Sequence, residues 1–214
     1  MFPTSSEKKL RHDLKSINMD LSAANLGGAN LSRLNLSGTN LKASNLGGAD
    51  LSEANLSMSY LRAANLGGSN LGYSNLSGAD LQTANLGSAN LAYAAMSKTK
   101  AKGANMSGAY LGYASAKLAD LSDTYLWGAY LKGCDFTGAN LENAYLRGAD
   151  LKGAILISVK ARGAEFRGAN LSGSKVSVTC LDDVLIGHGL KSRKETMHRR
   201  DLVSLATDAG IITV

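Results

Sequence analysis

The sequence predicts an all-β solenoid, a rod of stacked coils, and not a globular domain. A large apolar or small core residue stands at every fifth position from Leu21 to Leu181 without a frame shift, which makes thirty-three pentads. This period matches neither the helical period of about 3.6 residues nor the two-residue period of a long strand. The single proline, Pro3, lies outside the repeat, as stacked backbone ladders require. The chain must therefore turn a corner every five residues.

Each pentad has a small residue two places before its central residue, as Ala24 precedes Leu26. Residues two apart in an extended segment point to the same side, so both are predicted to face the core. The residue between them is usually Asn or Asp, as at Asn25 and Asp50. The three remaining positions, the Asn or Asp position among them, are predicted to face water and the corners, where Gly and Asn tolerate a positive φ and are expected to supply the turns, as at Gly28.

Most pentad centres are Leu, and the exceptions are Met96, Ala101, Met106, Ala116, Phe136, Ala161, Phe166 and Val176. The three alanines thin the core where they occur. We expect the coils that contain Ala101 and Ala116 to be the least stable part of the rod. The free energy of unfolding is expected to fall by about 2 to 5 kcal/mol for each missing Leu-sized side chain if the site does not collapse.

The repeated pattern Ala-(Asn/Asp)-Leu-x-x resembles the pentapeptide repeat family, and the resemblance covers residues 19–183. It implies a right-handed quadrilateral β-helix with four pentads in each coil. The pentads then form about eight coils, and the rod is roughly 40 Å long at a strand spacing of about 4.8 Å. The remaining segments, 1–18 and 184–214, are predicted to be end caps.

A solenoid exposes backbone edges and open core at both ends, so short helical caps are expected at one or both of them. Apolar residues at helical spacing between Leu10 and Ile17 predict a short N-terminal helix. A capping box from Ser192 to Glu195 predicts a second helix over about 193–208. The chain ends in further apolar residues, and the alternative role of this segment is to join two copies as a homodimer.

With four pentads per coil, residues twenty positions apart stack in columns along the rod. One face is predicted to carry two columns of tyrosines: Tyr73, Tyr93, Tyr113, Tyr110 and Tyr130. Tyrosine offers a large contact area at low entropy cost, so such a stripe is typical of a protein-binding face. The alternative is a ladder of rings that only stacks to stabilise neighbouring coils.

The opposite face is predicted to be basic, with these residues: Lys42, Arg62, Lys102, Lys100, Lys160 and Arg162. Such a stripe can meet phosphates or an acidic protein. A third face is the second candidate for partner binding, because aromatic rings there adjoin arginines: Tyr125, Trp127, Tyr145, Arg147 and Arg167. Since the tyrosine and basic stripes lie on opposite sides, they cannot form the joint groove that single-stranded nucleic acid uses, and we do not expect it as a partner.

The formal net charge of +6 is concentrated in the second half of the repeat. Residues 21–96 contain three basic and three acidic side chains, whereas residues 97–181 contain eleven and six. No apolar run approaches the roughly 18 to 20 residues of a membrane span, and the first residues lack the apolar stretch of a secretory signal. We therefore expect a cytoplasmic protein without a membrane span; the resemblance leaves a secreted effector as the alternative.

The sequence contains no arrangement that indicates catalysis. Nucleophilic catalysis needs a base within reach of Ser or Cys, but His12, His188 and His198 all lie outside the repeat. Cys134 occupies an inward position and is expected to be inert, and it forms no metal-ligand spacing with Cys180 or the histidines. We expect no enzyme activity, no cofactor and no metal.

These observations predict a non-catalytic rod that binds or scaffolds another protein. The family resemblance implies one alternative, because some members protect DNA gyrase from inhibitors by imitating the shape and negative charge of duplex DNA. This chain departs from that subgroup in having Leu centres where the subgroup is rich in Phe, and in its net positive charge. A basic rod is a poor imitation of DNA.

Overall fold

A computed structural model describes residues 19–177 and the strand Ile212–Thr213. Parallel bridges join residues twenty positions apart along the rod, from Asp20 paired with Asn40 to Asp150 paired with Asn170. Each coil therefore contains twenty residues, or four pentads, and the predicted repeat β-helix is confirmed. Its right hand stays a prediction, and both predicted capping helices lie outside the described residues.

Near the C-terminal end of the rod, three short strands pair in parallel in the order β1-β2-β3. They are β1 (Ile155–Leu156), β2 (Lys175–Val176) and β3 (Ile212–Thr213). Lys175 lies opposite Ile155 on one side and Ile212 on the other. A strand from the predicted cap segment 184–214 thus pairs with the edge of the last described coil.

The corner of each pentad is a tight turn. In the turn from Leu26 to Ala29, the N–H of Ala29 donates to the carbonyl oxygen of Leu26 at 3.0 Å, and Gly28 has a φ of 67°. A positive φ at the third residue is the requirement of a type II turn. Within residues 19–177, fifteen glycines meet this requirement, and sixteen other residues are held in the same conformation.

The role predicted for the Asn column is wrong, because these residues do not occupy the positive-φ corner; Asn143, which does, lies outside that column. The pentad centred on Leu46 shows what Asn does instead. The backbone N–H groups of Asn45, Leu46 and Gly48 donate to neighbouring coils, and that of Ser44 closes a turn. The remaining N–H, that of Gly47, donates to Oδ1 of Asn45 at 3.1 Å. Asn therefore supplies the acceptor that the backbone lacks.

The Asn side chains also bond to one another along the rod. Nδ2 of Asn65 donates to Oδ1 of Asn45 at 3.1 Å, and Nδ2 of Asn85 donates to Oδ1 of Asn65 at 3.0 Å. One carboxamide thus links two coils and caps a turn, which explains why Asn is repeated at this position.

The core consists of the pentad centres and the small residues two places before them, nearly all fully buried. Ala101 and Ala116 are buried in it as predicted. The twenty-residue register places Ala116 between Met96 and Phe136 in one core column, so a small residue is followed by the largest fully buried one. The lower stability predicted for these coils stays a prediction.

Candidate binding faces

The five tyrosines predicted to share a face, here called the tyrosine face, form two stacks of exposed rings. The centroids of Tyr73 and Tyr93 lie 4.8 Å apart with an angle of 4° between the rings, and those of Tyr93 and Tyr113 lie 5.4 Å apart. Tyr110 and Tyr130 stack at 4.6 Å. The rings thus stand in the columns expected from the sequence, and their role in binding stays a prediction.

The longer stack stands on strained backbone. Tyr73, Tyr93 and Tyr113 have φ values of 58°, 60° and 59°, in the left-handed region that costs an ordinary residue about 1 to 2 kcal/mol. The next residue of the column is Gly133, where an added Cβ would lie 2.6 Å from ring carbons of Tyr113. The last ring therefore lies over a glycine, which ends the stack.

The shorter stack replaces the Asn column. Tyr110 and Tyr130 stand where most pentads have Asn or Asp, and they cannot accept the N–H two residues later. Among the described residues, the backbone N–H groups of Gly112 and Lys132 have no acceptor. These tyrosines thus give up a hydrogen bond that is typically worth about 0.5 to 1.5 kcal/mol.

The second predicted patch, here called the tryptophan face, comprises Tyr125, Trp127, Tyr145, Arg147 and Arg167. Tyr125 stacks on Tyr145 at 5.1 Å, and Trp127 meets both rings edge to face, at 5.4 and 6.0 Å. The indole remains 47% exposed. Arg147 and Arg167 follow Trp127 in the same column, are exposed, and form no ion pair with any described residue. The fold thus brings all five predicted residues together.

The predicted basic stripe, here called the basic face, is partly neutralised by its neighbours. Arg62 pairs with Asp80 at 3.3 Å, and Lys102 pairs with Asp123 at 3.5 Å. The ammonium of Lys42 lies 5.3 Å from the ring centroid of Tyr60. The other basic residues of the stripe are exposed: Lys100, Lys160 and Arg162. This face therefore offers less positive potential than the count of basic residues indicated.

The remaining side of the rod has exposed apolar side chains that the sequence reasoning missed. Met58 and Leu118 are 66% and 59% exposed at left-handed corners. Each lies over the glycine one coil later, Gly78 and Gly138, where a Cβ would collide with it. A bulky residue followed by Gly twenty positions later was a signal available in the sequence.

The same side holds one acidic residue with a shifted pKa. Burial alone would raise the pKa of Asp135, but hydrogen bonds from the hydroxyl and backbone N–H of Thr137 and from Lys117 hold it below its usual value. The Lys117 ammonium lies 3.0 Å from the Asp135 carboxylate. This pair serves the structure, since it connects two neighbouring coils.

The same repeat is detected by the profile of a known protein family. The profile of the family described as pentapeptide repeats matches the chain in eight copies, over residues 20–57, 59–92, 79–115, 119–156 and 134–173. The chain belongs to the pentapeptide repeat family. Among curated proteins, none matches this member of the family.

Two solved structures are among those that match this chain. HetL from the cyanobacterium Nostoc sp. strain PCC 7120, a pentapeptide repeat protein involved in heterocyst differentiation regulation, is 31% identical over 78% of this chain and 80% of its own, with a TM-score of 0.40. A trypsin-treated variant of QnrB1, a plasmid-mediated fluoroquinolone resistance protein, is 19% identical over 92% of this chain and 99% of its own, with a TM-score of 0.67. The likeness to QnrB1 is one of fold.

The described residues include an inert thiol. Cys134 is fully buried, and its Sγ donates to the carbonyl oxygen of Leu111 at 2.7 Å. Burial raises the pKa of this thiol to about 12, so little reactive thiolate forms at neutral pH. Cys180, His12, His188 and His198 lie outside the described residues.

Residues 19–177 contain no group of three or more His, Cys, Asp or Glu side chains that could hold a metal ion. In the same part of the chain, no helix has the length and apolar character of a bilayer span.

Proposed function

We propose that this protein is a non-catalytic rod that binds or scaffolds another protein, chiefly through the tyrosine face. The observation that carries the proposal is that five exposed rings stand at positions where the repeat favours Gly or Asn. The backbone along the sides of the rod is hydrogen-bonded between coils, so a partner cannot bind there by adding a strand. Side chains must carry the recognition.

The energetics favour binding over stacking as the reason for these rings. A stacked pair of exposed aromatic rings contributes about 0.5 to 1.5 kcal/mol. The left-handed backbone costs about 1 to 2 kcal/mol at each of Tyr73, Tyr93 and Tyr113, and Tyr110 and Tyr130 forfeit turn caps. Stacking by itself therefore does not offset the cost to the rod, whereas aromatic side chains are enriched among the residues that dominate protein interfaces.

Tyr93→Gly tests the proposal, because glycine fits the left-handed corner and removes the ring without straining the backbone. In a pull-down from a lysate of the organism that encodes the protein, the variant should fail to recover a partner that the natural protein recovers. Thermal unfolding of the variant should change little, because the relieved strain at the corner, about 1 to 2 kcal/mol, largely offsets the two lost ring pairs. Ser88→Gly makes the same backbone change at a corner with a φ of 57° and should keep the partner.

A purely stacking role for the tyrosines makes the opposite forecast. The Tyr93→Gly rod would then be less stable than the natural one, because the two lost ring pairs would contribute more than the roughly 1 to 2 kcal/mol of strain relieved at the corner, and it would still recover every partner. That result would reject the tyrosine face as a binding surface.

The proposal takes the rod to be right-handed and quadrilateral, with about eight coils and helical caps, and the protein to act in the cytoplasm. It leaves a homodimer through the segment 184–214 as an alternative assembly. The strand β3 belongs to this segment and pairs with β2 at the edge of the last described coil. This pairing would compete with a second copy of the chain for the same edge.

Protection of gyrase by imitation of DNA is the alternative function. Its support is the fold shared with QnrB1, and the net charge of +6 weighs against it. A gyrase supercoiling assay in the presence of a quinolone separates the two proposals. Supercoiling restored by stoichiometric amounts of the protein would replace the scaffold proposal, and no rescue would remove the alternative.

A further inference from the structure

The tryptophan face lacks the hydrogen-bond acceptors that the rest of its side of the rod possesses. In the earlier coils of the same column, the side chain of each Asn accepts a hydrogen bond from the backbone N–H two residues later. The last such bond joins the N–H of Ser107 to Oδ1 of Asn105 at 3.0 Å. The next three coils have Tyr125, Tyr145 and Glu165 at the Asn position. None of these side chains forms the cap.

Three consecutive backbone donors have no acceptor within residues 19–177. Within the described residues, the N–H groups of Trp127, Arg147 and Arg167 have no hydrogen-bond partner. They follow one another at the coil spacing of about 4.8 Å. The side chains of the same three residues are also donors, an indole and two guanidinium groups. The column is therefore rich in donors and poor in acceptors.

Among the described residues outside this face, Arg33 and Arg62 have acidic partners. Arg33 forms two hydrogen bonds to the carboxylate of Glu53, at 2.9 and 3.1 Å, and Arg62 pairs with Asp80. Arg147 and Arg167 lack such partners among the described residues, although Glu165 lies on the same face. Their charge is thus available to an external anion.

The strip beside this column is free of side chains. Its residues are Gly128, Gly148 and Gly168, and a Cβ added at either of the first two would meet nothing within 4 Å. An extended segment could therefore lie along the strip in contact with the indole of Trp127 and the two arginines.

We propose that the tryptophan face binds an acidic segment of a partner protein. Its carboxylates accept hydrogen bonds from the guanidinium groups and backbone N–H groups of Arg147 and Arg167, in place of the missing Asn side chains. An apolar side chain of the segment packs on Trp127. Carboxylates fit because arginine binds them in two-pronged hydrogen bonds. The inference rests on the proposed function and names the chemistry of a partner.

Nucleic acid fits this face less well than an acidic protein segment. Affinity for a phosphate backbone grows with the number of phosphates that Lys and Arg neutralise. This face offers two arginines that have no acidic partner among the described residues, and Glu165 lies in the adjoining column. Charge complementarity is therefore limited to a short anionic stretch.

The test uses the full chain and a fluorescein-labelled synthetic peptide of alternating Glu and Leu, with binding followed by fluorescence anisotropy. Arg147→Gln combined with Arg167→Gln should weaken binding about tenfold or more. Lys132→Gln combined with Lys152→Gln removes the same charge from two exposed lysines that are also one coil apart, outside this face. That control should change binding by less than about threefold.

Glu165→Asn separates the role of the backbone donors from that of charge. Asn at this position supplies the usual cap to the N–H of Arg167 and also removes a negative charge. If the backbone donors take part, binding of the acidic peptide should weaken by about threefold or more. Tighter binding would show that charge alone attracts the peptide and would overturn this part of the inference.

Three results would overturn the inference as a whole. The first is the absence of peptide binding, and the second is an equal loss in the arginine and lysine double variants. The third is tighter binding of a labelled oligothymidine with the same dependence on Arg147 and Arg167, which would assign the face to nucleic acid. In each case, partner recovery that still depends on Tyr93 would leave the proposed function standing.

Discussion

The two halves of the rod share one backbone but differ in how closely they follow the repeat. Residues 19–93, the regular half, have Leu at every pentad centre and Asn or Asp at fourteen of fifteen cap positions. Residues 94–177, the divergent half, contain all the centres that are not Leu and keep Asn or Asp at six of seventeen. The tryptophan face and Tyr110 and Tyr130 belong to the divergent half, where exposed rings coincide with lost caps, whereas Tyr73 and Tyr93 stand in the regular half in pentads that keep their caps.

The difference shows how a solenoid can acquire a surface. Each coil contacts its neighbours alone, so a departure from the repeat affects stability locally and the regular coils can sustain it. A cap position that changes from Asn to Tyr exchanges a hydrogen bond for exposed contact area. Surfaces of this kind therefore arise one column at a time.

The largest expected effect comes from a substitution in the core of the divergent half. Phe136→Ala should lower the free energy of unfolding by about 3 to 5 kcal/mol, because Ala116 one coil earlier leaves nothing to refill the column. Ala116→Leu alone should cost about 1 to 3 kcal/mol by overpacking against Phe136. Urea unfolding of both variants and of the double variant measures the coupling.

The double variant decides whether the two positions compensate each other. If they do, Ala116→Leu restores part of the stability lost in Phe136→Ala, and the coupling exceeds about 0.5 kcal/mol. Additive losses would mean that the core of the divergent half is thinned at Ala116 without compensation. The result would then agree with the expectation from the sequence that the coil containing Ala116 is less stable than its neighbours.

An intermediate effect concerns the glycine on which the tyrosine stack ends. Gly133→Ala should destabilise the rod by about 2 to 3 kcal/mol, because alanine is strained at a φ of 66° and its Cβ displaces the ring of Tyr113 from its stack. Gly153→Ala, one coil later in the same column and with open space around it, should cost about 1 to 2 kcal/mol. Equal losses of unfolding free energy in the two variants would show that Tyr113 does not depend on this glycine.

Much of the fold was predictable, since the five-residue period and the small-large pair at Ala24 and Leu26 require a chain that turns every five residues around a core. The position of Cys134 followed from the same frame. The role of Asn25 did not, because residue type alone does not reveal which backbone N–H lacks an acceptor. The pairing of β3 with the end of the rod was also beyond prediction, since its residues lie outside the repeat.

The candidate faces were predictable as columns but not in their electrostatics. Once residues twenty apart are stacked, Tyr73 and Tyr93 must neighbour each other, and the structure stacks their rings. The neutralisation of Arg62 and Lys102 comes from acids in other columns, which a reading of single columns omits. The unpartnered N–H groups beside Trp127 required the complete hydrogen-bond pattern.

The smallest expected effect comes from placing the Asn cap of the regular half at a position in the divergent half that lacks it. Lys100 stands at a cap position between Asp80 and Asp120, and the N–H of Lys102 has no acceptor among the described residues. Lys100→Asn should supply that acceptor and raise the free energy of unfolding by about 0.5 to 1.5 kcal/mol. The converse change in the regular half, Asn65→Ala, removes the cap on Gly67 and should cost about 1 to 2 kcal/mol. Urea unfolding of the two variants measures both effects. A Lys100→Asn rod that is no more stable than the natural one would mean that water satisfies the uncapped N–H as well as Asn does. The lost caps would then cost the divergent half no stability.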